Sequence, residues 1–185
     1  MKKFIYILLA ALLLIGQSFN GTKATSEDPE SKDKKPEVPM AVQNLKKFVG
    51  DWQAKAKLTM EGKTYTVDYM VSCKETADGN GLYADEWFTD PVLGTMKGTD
   101  LVGYDPYDAK IKWYSVDNMG TTNEHVGEWK SPDHLFIVHN GMHKGKKFVD
   151  KLDFFFKGDD ELEFKGVGTL DGVETQHAEG VFHKK

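Results

Sequence analysis

A period-two alternation of apolar and polar residues, running from Trp52 almost to the C-terminus, constrains the fold most strongly. In residues 50–60, GDWQAKAKLTM, every second residue from Trp52 to Met60 is apolar, and glutamine, lysine or threonine fills the positions between. Such alternation is typical of half-buried strands, because successive side chains of a strand point to opposite faces. The chain is therefore predicted to consist mainly of strands that each have one apolar face.

Turn-forming residues interrupt this alternation at nine places. They are rich in Gly, Pro, Asp and Asn, which start turns or tolerate positive φ, and they occupy residues 61–63, 78–81, 90–91, 105–106, 118–120, 131–133, 144–146, 158–160 and 171–172. Nine interruptions divide the chain into ten strands. No segment between them is long and helical enough for the crossover that parallel strands need, so the sheet is predicted to be antiparallel.

Ten consecutive antiparallel strands have to cover their apolar faces and their unpaired edges. Closure into an up-and-down barrel achieves both. Before the first strand, Val42, Leu45 and Val49 recur at helical spacing. We therefore predict an all-β fold, a single ten-stranded antiparallel up-and-down barrel with a short N-terminal helix. An eight-stranded barrel is just filled by side chains, so ten strands are expected to leave a small cavity.

The N-terminus has the pattern of a cleaved secretory signal. Two lysines precede a run of twelve apolar residues, Phe4 to Ile15, and Thr22-Lys23-Ala24 fits a cleavage site. Because a membrane span needs about 20 apolar residues, we predict a signal peptide at 1–24 and no integral membrane anchor. The protein is expected to be exported, to the periplasm or the cell exterior. Residues 25–40 are predicted to be a disordered charged linker, and 41–185 the barrel domain.

Composition excludes some partners. Removing residues 1–24 removes three lysines and no acid, which takes the net charge from −5 to −8, and the chain has no arginine. This acidity argues against nucleic-acid binding, which needs a basic face. Cys73 is the only cysteine, so no internal disulfide can form. It falls on the apolar face of a strand and is predicted to be a buried, inert thiol.

Strand parity identifies side chains that face the interior. We predict that Tyr69, Asp100, Trp113 and His125, on the second, fourth, fifth and sixth strands, form one ligand-binding pocket that is apolar on most sides. The alternative for Asp100 and His125 is that each bonds a neighbouring backbone group or tyrosine hydroxyl at a barrel end, because burying an unpaired charge is costly. Parity leaves the third, seventh and tenth strands undecided.

Neither catalysis nor metal binding is indicated by the residue pattern. No catalytic residues are predicted, because there is no nucleophile–base motif or phosphate loop and nothing makes Asp100 and His125 adjacent. His134, His139 and His143 lie close in sequence. On a strand, however, His139 and His143 would be about 13 Å apart at ~3.3 Å per residue, whereas zinc binds its ligands at about 2.0–2.1 Å. No metal site is therefore predicted.

The sequence resembles lipocalin-like (calycin) barrels in the Gly-x-Trp at the head of the first strand, Gly50-Asp51-Trp52. The resemblance implies that Gly50 and Trp52 form a plug at one end of the barrel. Residues 98–105, together with Trp113 and Gly127, are similar to an uncharacterised family of bacterial lipocalin-like proteins, and the resemblance covers about residues 45–183. Lipocalins place an arginine from the last strand over this tryptophan; here only Lys184 is available.

A more distant resemblance links the chain to nitrobindin-type haem barrels, which share the ten-strand plan. Those barrels repeat glycines after the Gly-x-Trp, where this chain has Ala54 and Ala56. This departure disfavours haem, and no cofactor is predicted.

The expected function is non-catalytic binding of a small, mostly apolar molecule in the barrel cavity. The alternatives are an enzyme on the same barrel, or a structural or interaction module with a filled core; a solid interior would remove the binding hypothesis. The aromatic residues, all four tryptophans included, are expected mainly in the core. Phe155 falls on the outer face, where it could form an apolar patch with Tyr114 and support a homodimer; scattered exposed aromatics are the alternative.

Overall fold

The computed structural model of the protein describes residues 38–185. The predicted signal peptide and most of the predicted linker lie outside these residues. A short helix, α1 (Met40–Leu45), continues into a 3₁₀ turn (Lys46–Phe48). Ten strands follow: β1 (Gly50–Met60), β2 (Lys63–Thr76), β3 (Gly81–Asp90), β4 (Gly94–Asp105), β5 (Lys110–Asp117), β6 (Thr122–Ser131), β7 (His134–His143), β8 (Lys146–Phe156), β9 (Glu161–Leu170) and β10 (Val173–Lys184). Between residues 38 and 185 no helix is long and apolar enough to cross a membrane.

The ten strands form one closed antiparallel barrel in which each strand pairs with its neighbours in sequence. The ring closes where β1 pairs with β10, so that Trp52 lies opposite Lys184 and Ala54 opposite Phe182. The predicted all-β, ten-stranded up-and-down barrel with a short N-terminal helix is therefore confirmed. All nine predicted interruptions coincide with connections between strands.

Side-chain burial follows the predicted parity on β1, where Trp52, Ala54 and Ala56 are 2–3% exposed, whereas Gln53 and Lys55 between them are exposed. On β7, which parity had left undecided, Leu135 and Ile137 are fully buried. The inner face of β3 consists of the side chains of Leu82, Ala84, Glu86 and Phe88. One expectation is wrong: Trp87 lies on the outer face and is 38% exposed, because its strand carries large side chains on both faces.

The two ends of the barrel differ. The 3₁₀ turn inserts Phe48 into one end, where its ring makes edge-to-face contacts with Trp113, Phe154 and Phe156 at centroid distances of 5.6, 5.4 and 4.8 Å. We call this the closed end. The opposite, open end holds the tight turns that join β1 to β2, β3 to β4, β5 to β6, β7 to β8 and β9 to β10.

Trp52 lies at the closed end, below the 3₁₀ turn, and its Nε1 donates a hydrogen bond to the Phe48 carbonyl at 2.8 Å. The Lys184 ammonium lies over the Trp52 ring, 4.8 Å from its centroid. A Cβ on Gly50 would lie 2.8 Å from Lys184 Cε, and Gly50 has φ +134°. Gly50 thus leaves room for Lys184, whose ammonium lies over the Trp52 ring.

The outer aromatic residues are scattered, which is the second of the two alternatives for Phe155 and Tyr114, and do not form a shared patch. Phe155 on β8 stacks on His134, with ring centroids 4.2 Å apart. Tyr114 on β5 lies opposite Leu101 of β4 and donates a hydrogen bond to Glu124 of β6. Strands β6 and β7 separate the two side chains, because β5 and β8 are not neighbours in the ring.

Candidate ligand cavity

A cavity of about 250 Å³ lies inside the barrel. It extends from Phe48 at the closed end to Thr121 in the turn between β5 and β6. Because Thr121 is exposed, the cavity reaches the surface at this point of the open end. For scale, an apolar cavity of about 150 Å³ holds benzene, whereas drug-sized pockets have volumes of about 300–1,000 Å³. This cavity therefore suits a molecule somewhat larger than benzene.

The structure places all four predicted site residues, Tyr69, Asp100, Trp113 and His125, on the wall of this one cavity. Three of them lie on the adjacent strands β4, β5 and β6, where Trp113 is directly opposite His125 and Asp100 is opposite Ser115. Tyr69 reaches the cavity from β2. Parity assigned each side chain to the inner face, and closure of the ring brings the four strands around the same space.

Aromatic rings form most of one side of the cavity. Trp113 stacks on Phe154 with ring centroids 5.2 Å apart and planes at 10°. Phe154 in turn contacts Phe164 at 5.3 Å. Tyr69 meets Phe182 edge to face at 5.8 Å. Such walls favour flat apolar ligands, because offset-stacked and edge-to-face ring pairs add to the free energy of burial.

Two carboxyl groups form the polar side of the cavity. Tyr69 donates its hydroxyl hydrogen to Glu86 Oε2 at 2.6 Å, and Ser115 donates to Asp100 Oδ1 at 2.5 Å. Within residues 38–185 no hydrogen-bond donor reaches the other oxygen of Glu86. Both acids line the cavity, next to the aromatic wall.

Burial changes the protonation of these acids. It raises the pKa of Glu86 to about 7, with a further rise from the negative charge of Asp100. Burial also raises the pKa of Asp100, against hydrogen bonds from Ser115 and Trp113 that stabilise the carboxylate. The pKa of Tyr69 is raised well above its usual value by burial and by Glu86. At neutral pH, therefore, Tyr69 is neutral, and Glu86 holds its proton to a higher pH than an exposed glutamate does.

His125 is a further polar residue of the cavity wall and is only 3% exposed. Its Nε2 lies 3.0 Å from Asp150 Oδ2, so the carboxylate accepts the Nε2 hydrogen. In the neutral ring Nδ1 is then a hydrogen-bond acceptor, and it is buried without a partner in the described part of the chain. Both predicted polar residues thus have local partners, but these are Asp150 and Ser115 rather than backbone or tyrosine groups.

Glu86 is the functional candidate that sequence reasoning missed. Parity on β3 was undecided, because Tyr83 and Trp87 make the outer face as apolar as the inner one. Gly98, on the inner face of the neighbouring strand β4, is an independent indication that Glu86 faces inward. A Cβ there would lie 2.6 Å from Glu86 Oε1, so this glycine leaves space for the buried carboxyl group.

The remaining candidate ligands and nucleophiles do not form a site. Within residues 38–185 no group of three or more His, Cys, Asp or Glu side chains is placed to hold a metal ion. His134 bonds Asp153, 2.6 Å away, on the outer face, apart from His139. Cys73 is buried, as predicted, and burial, followed by the charge of Asp100, raises its pKa to about 12. The thiol is therefore protonated and unreactive at neutral pH.

No protein-family model matches the chain, and no curated protein does. Solved structures do show the same fold. Rv2717c from M. tuberculosis superposes with a TM-score of 0.61 at 15% identity, covering 80% of this chain and 99% of its own. The S-type phycobiliprotein lyase CPES from Guillardia theta gives a TM-score of 0.54 at 11% identity, covering 78% and 93%. The chain therefore has a calycin-like barrel fold.

Proposed function

We propose that this protein is an exported, non-catalytic binding protein that holds a small, mostly apolar molecule inside its barrel. The observation that supports the proposal most directly is the cavity of about 250 Å³, which has an aromatic wall and a few polar groups. This combination is typical of small-molecule sites. The filled-core alternative loses its main support, because it requires a solid interior.

Export is supported by the signal-peptide pattern of residues 1–24. Expression in an exporting host should release a mature chain that begins near Thr25, detectable as an intact mass; retention of residues 1–24 would contradict export. We also infer membership of the uncharacterised bacterial lipocalin-like family, on the strength of Gly50-Asp51-Trp52 and the glycines and aromatic residues that follow in the sequence.

A neutral bicyclic compound, 1-naphthalenemethanol, is the first ligand to test, because its size suits the cavity. Calorimetric titration should give saturable 1:1 binding with a Kd of about 1–100 µM, about −5.5 to −8 kcal/mol. Trp113→Ala should weaken binding about tenfold or more, because it removes an aromatic ring from the cavity wall and leaves Phe154 without its stacking partner.

Trp87→Ala is the matched control for this titration, because Trp87 is half exposed on the outer face. It should leave the Kd within about twofold of the wild-type value, a change of less than 0.5 kcal/mol. The proposal is wrong if no compound of this size binds saturably, or if the two tryptophan variants lose affinity equally.

Haem is expected not to bind. A porphyrin is larger than a cavity of about 250 Å³, and Nε2 of the buried His125 is already engaged by Asp150. Added haem should therefore give no sharp, stoichiometric Soret band. A stoichiometric band that His125→Ala, His139→Ala or His177→Ala abolishes would replace the proposed ligand class with a nitrobindin-like one.

A further inference from the structure

We propose that the ligand is a small apolar amine, whose protonated nitrogen lies between the carboxyl groups of Glu86 and Asp100 and the ring of His125. The inference rests on the proposed function, since it names the chemical class that the same cavity accepts. It differs from the sequence-based expectation, which assigned no charge to the ligand.

The charges on the cavity wall have one sign. Glu86, Asp100 and Asp117 line the cavity, and so does His125, whose partner is Asp150. No lysine lines the cavity in the part of the chain that the structure describes, and the sequence contains no arginine. An anionic ligand would therefore lose its hydration without gaining a counter-charge, whereas a cationic ligand would be paired.

Two polar atoms of the cavity wall have no hydrogen-bond partner within residues 38–185, and both are acceptors. Glu86 Oε1 receives no hydrogen bond from residues 38–185, because Tyr69 donates to the other oxygen. His125 Nδ1 is buried without a partner in the same range, and its lone pair is free because Nε2 carries the hydrogen. An ammonium group offers three donors and no acceptor. It satisfies these atoms, which a ligand with only acceptors cannot do.

The acceptors lie beside the aromatic wall. His125 on β6 is directly opposite Trp113 on β5. Ser115, two residues after Trp113 on β5, donates a hydrogen bond to Asp100. Trp113 therefore has carboxyl and imidazole groups as neighbours, and its ring stacks on Phe154. A molecule with an aromatic body and an amine one or two bonds away matches this arrangement, and its nitrogen gains cation–π contact with nearby rings.

The acidic groups around Glu86 determine the charge that a ligand meets in the cavity. Glu86 faces Tyr69 from β2, Asp100 from β4 and Asp117 from β5, and Asp100 also faces His125 from β6. With burial and Asp100 holding the pKa of Glu86 at about 7, a proton partly neutralises the pair at neutral pH. An ammonium ion replaces that proton, so amine affinity should rise with pH between about 6 and 8.

Three compounds of nearly equal shape test the inference: 1-naphthylmethylamine, 1-naphthalenemethanol and 1-naphthoic acid. In calorimetric titrations of the full mature chain at pH 7.5, the amine should bind at least tenfold tighter than the alcohol, and the acid should show no saturable binding. Glu86→Gln and Asp100→Asn should each bring the amine-to-alcohol affinity ratio within threefold of unity.

Glu124→Gln is the matched control. It removes the same charge one residue from His125, but its side chain bonds Tyr114 on the outer face. The amine preference should persist in this variant. Wild-type amine affinity should also rise at least threefold from pH 6 to pH 8, while alcohol affinity stays constant, so the test does not depend on either acid variant folding.

The outcomes separate the inference from the proposed function. If the alcohol binds the wild type as tightly as the amine, or the acid binds tightest, the amine inference is overturned and the binding function stands. Equal loss of amine preference in Glu124→Gln and Glu86→Gln, or a flat pH profile, overturns it as well. If none of the three compounds binds, both the inference and the proposed function fail.

Discussion

Replacement of Trp52 by alanine is expected to lower the free energy of unfolding by about 3–5 kcal/mol, the usual loss for a deleted core aromatic. The side chain is 2% exposed. It bonds the Phe48 carbonyl through Nε1, and the Lys184 ammonium lies over its ring. The substitution therefore removes contacts between the barrel and the segment that closes it. Denaturant melts of the wild type and the variant measure the loss.

Trp87→Ala provides the comparison, because it deletes the same side chain from the outer face, where Trp87 is 38% exposed. It should cost less than about 1 kcal/mol, in the range of surface substitutions. A loss below about 1 kcal/mol for Trp52→Ala as well would show that Trp52 is not buried at the closed end. The register of β1 would then be wrong, since a one-residue slip reverses every side chain.

Glu86→Gln should stabilise the protein at pH 8 by about 1–3 kcal/mol and change its stability little at pH 5. Burial and the charge of Asp100 raise the Glu86 pKa from 4.5 to about 7 in the folded state. The folded protein thus holds a proton that the unfolded chain loses between those two pH values. Wild-type stability falls as pH rises through this window, and the penalty is complete above it. Glutamine cannot ionise, so it avoids the penalty, and its carbonyl still accepts the Tyr69 hydrogen bond.

Thermal or denaturant melts at pH 5, 6, 7 and 8 test this prediction. The readout is the difference in the free energy of unfolding between Glu86→Gln and the wild type at each pH. Glu124→Gln should show no comparable pH-dependent gain, because its carboxyl group is exposed. A Glu86→Gln variant that is less stable than the wild type at pH 8 would show that Glu86 is ionised and well paired in the folded barrel.

The fold was predictable because two independent sequence signals agree. Alternation in β1, from Trp52 to Met60, identifies one buried face, and nine turn clusters give the strand number. Parity alone placed Asp100 and His125 inside, since the inner face of an antiparallel barrel repeats every second residue. Because the barrel is closed, inward residues of different strands share one cavity. This could be predicted without knowing any long-range contact.

Contacts between strands that are distant in sequence were not predictable. His125 on β6 bonds Asp150 on β8, although β7 lies between these two strands. Parity tells which face a side chain lies on, but it does not tell whether the side chain contacts a residue two strands away. Glu86 was missed because its strand is apolar on both faces. Of the two alternatives for Phe155 and Tyr114, a shared patch or scattered exposed aromatics, the structure shows the second. Parity could not decide between them, because the distance between two outward side chains depends on the order of strands around the ring.

Methyl NMR tests most directly whether the interior is a binding cavity. With Leu and Val methyl groups labelled, titration with 1-naphthalenemethanol should shift the cavity-lining Val71, Val102, Leu152 and Leu162. All four should follow one saturation curve with the calorimetric Kd. The exposed methyl groups of Leu101, Val173 and Val181 should stay in place. Saturable shifts confined to those exposed groups, with the four interior residues unchanged, would contradict the account.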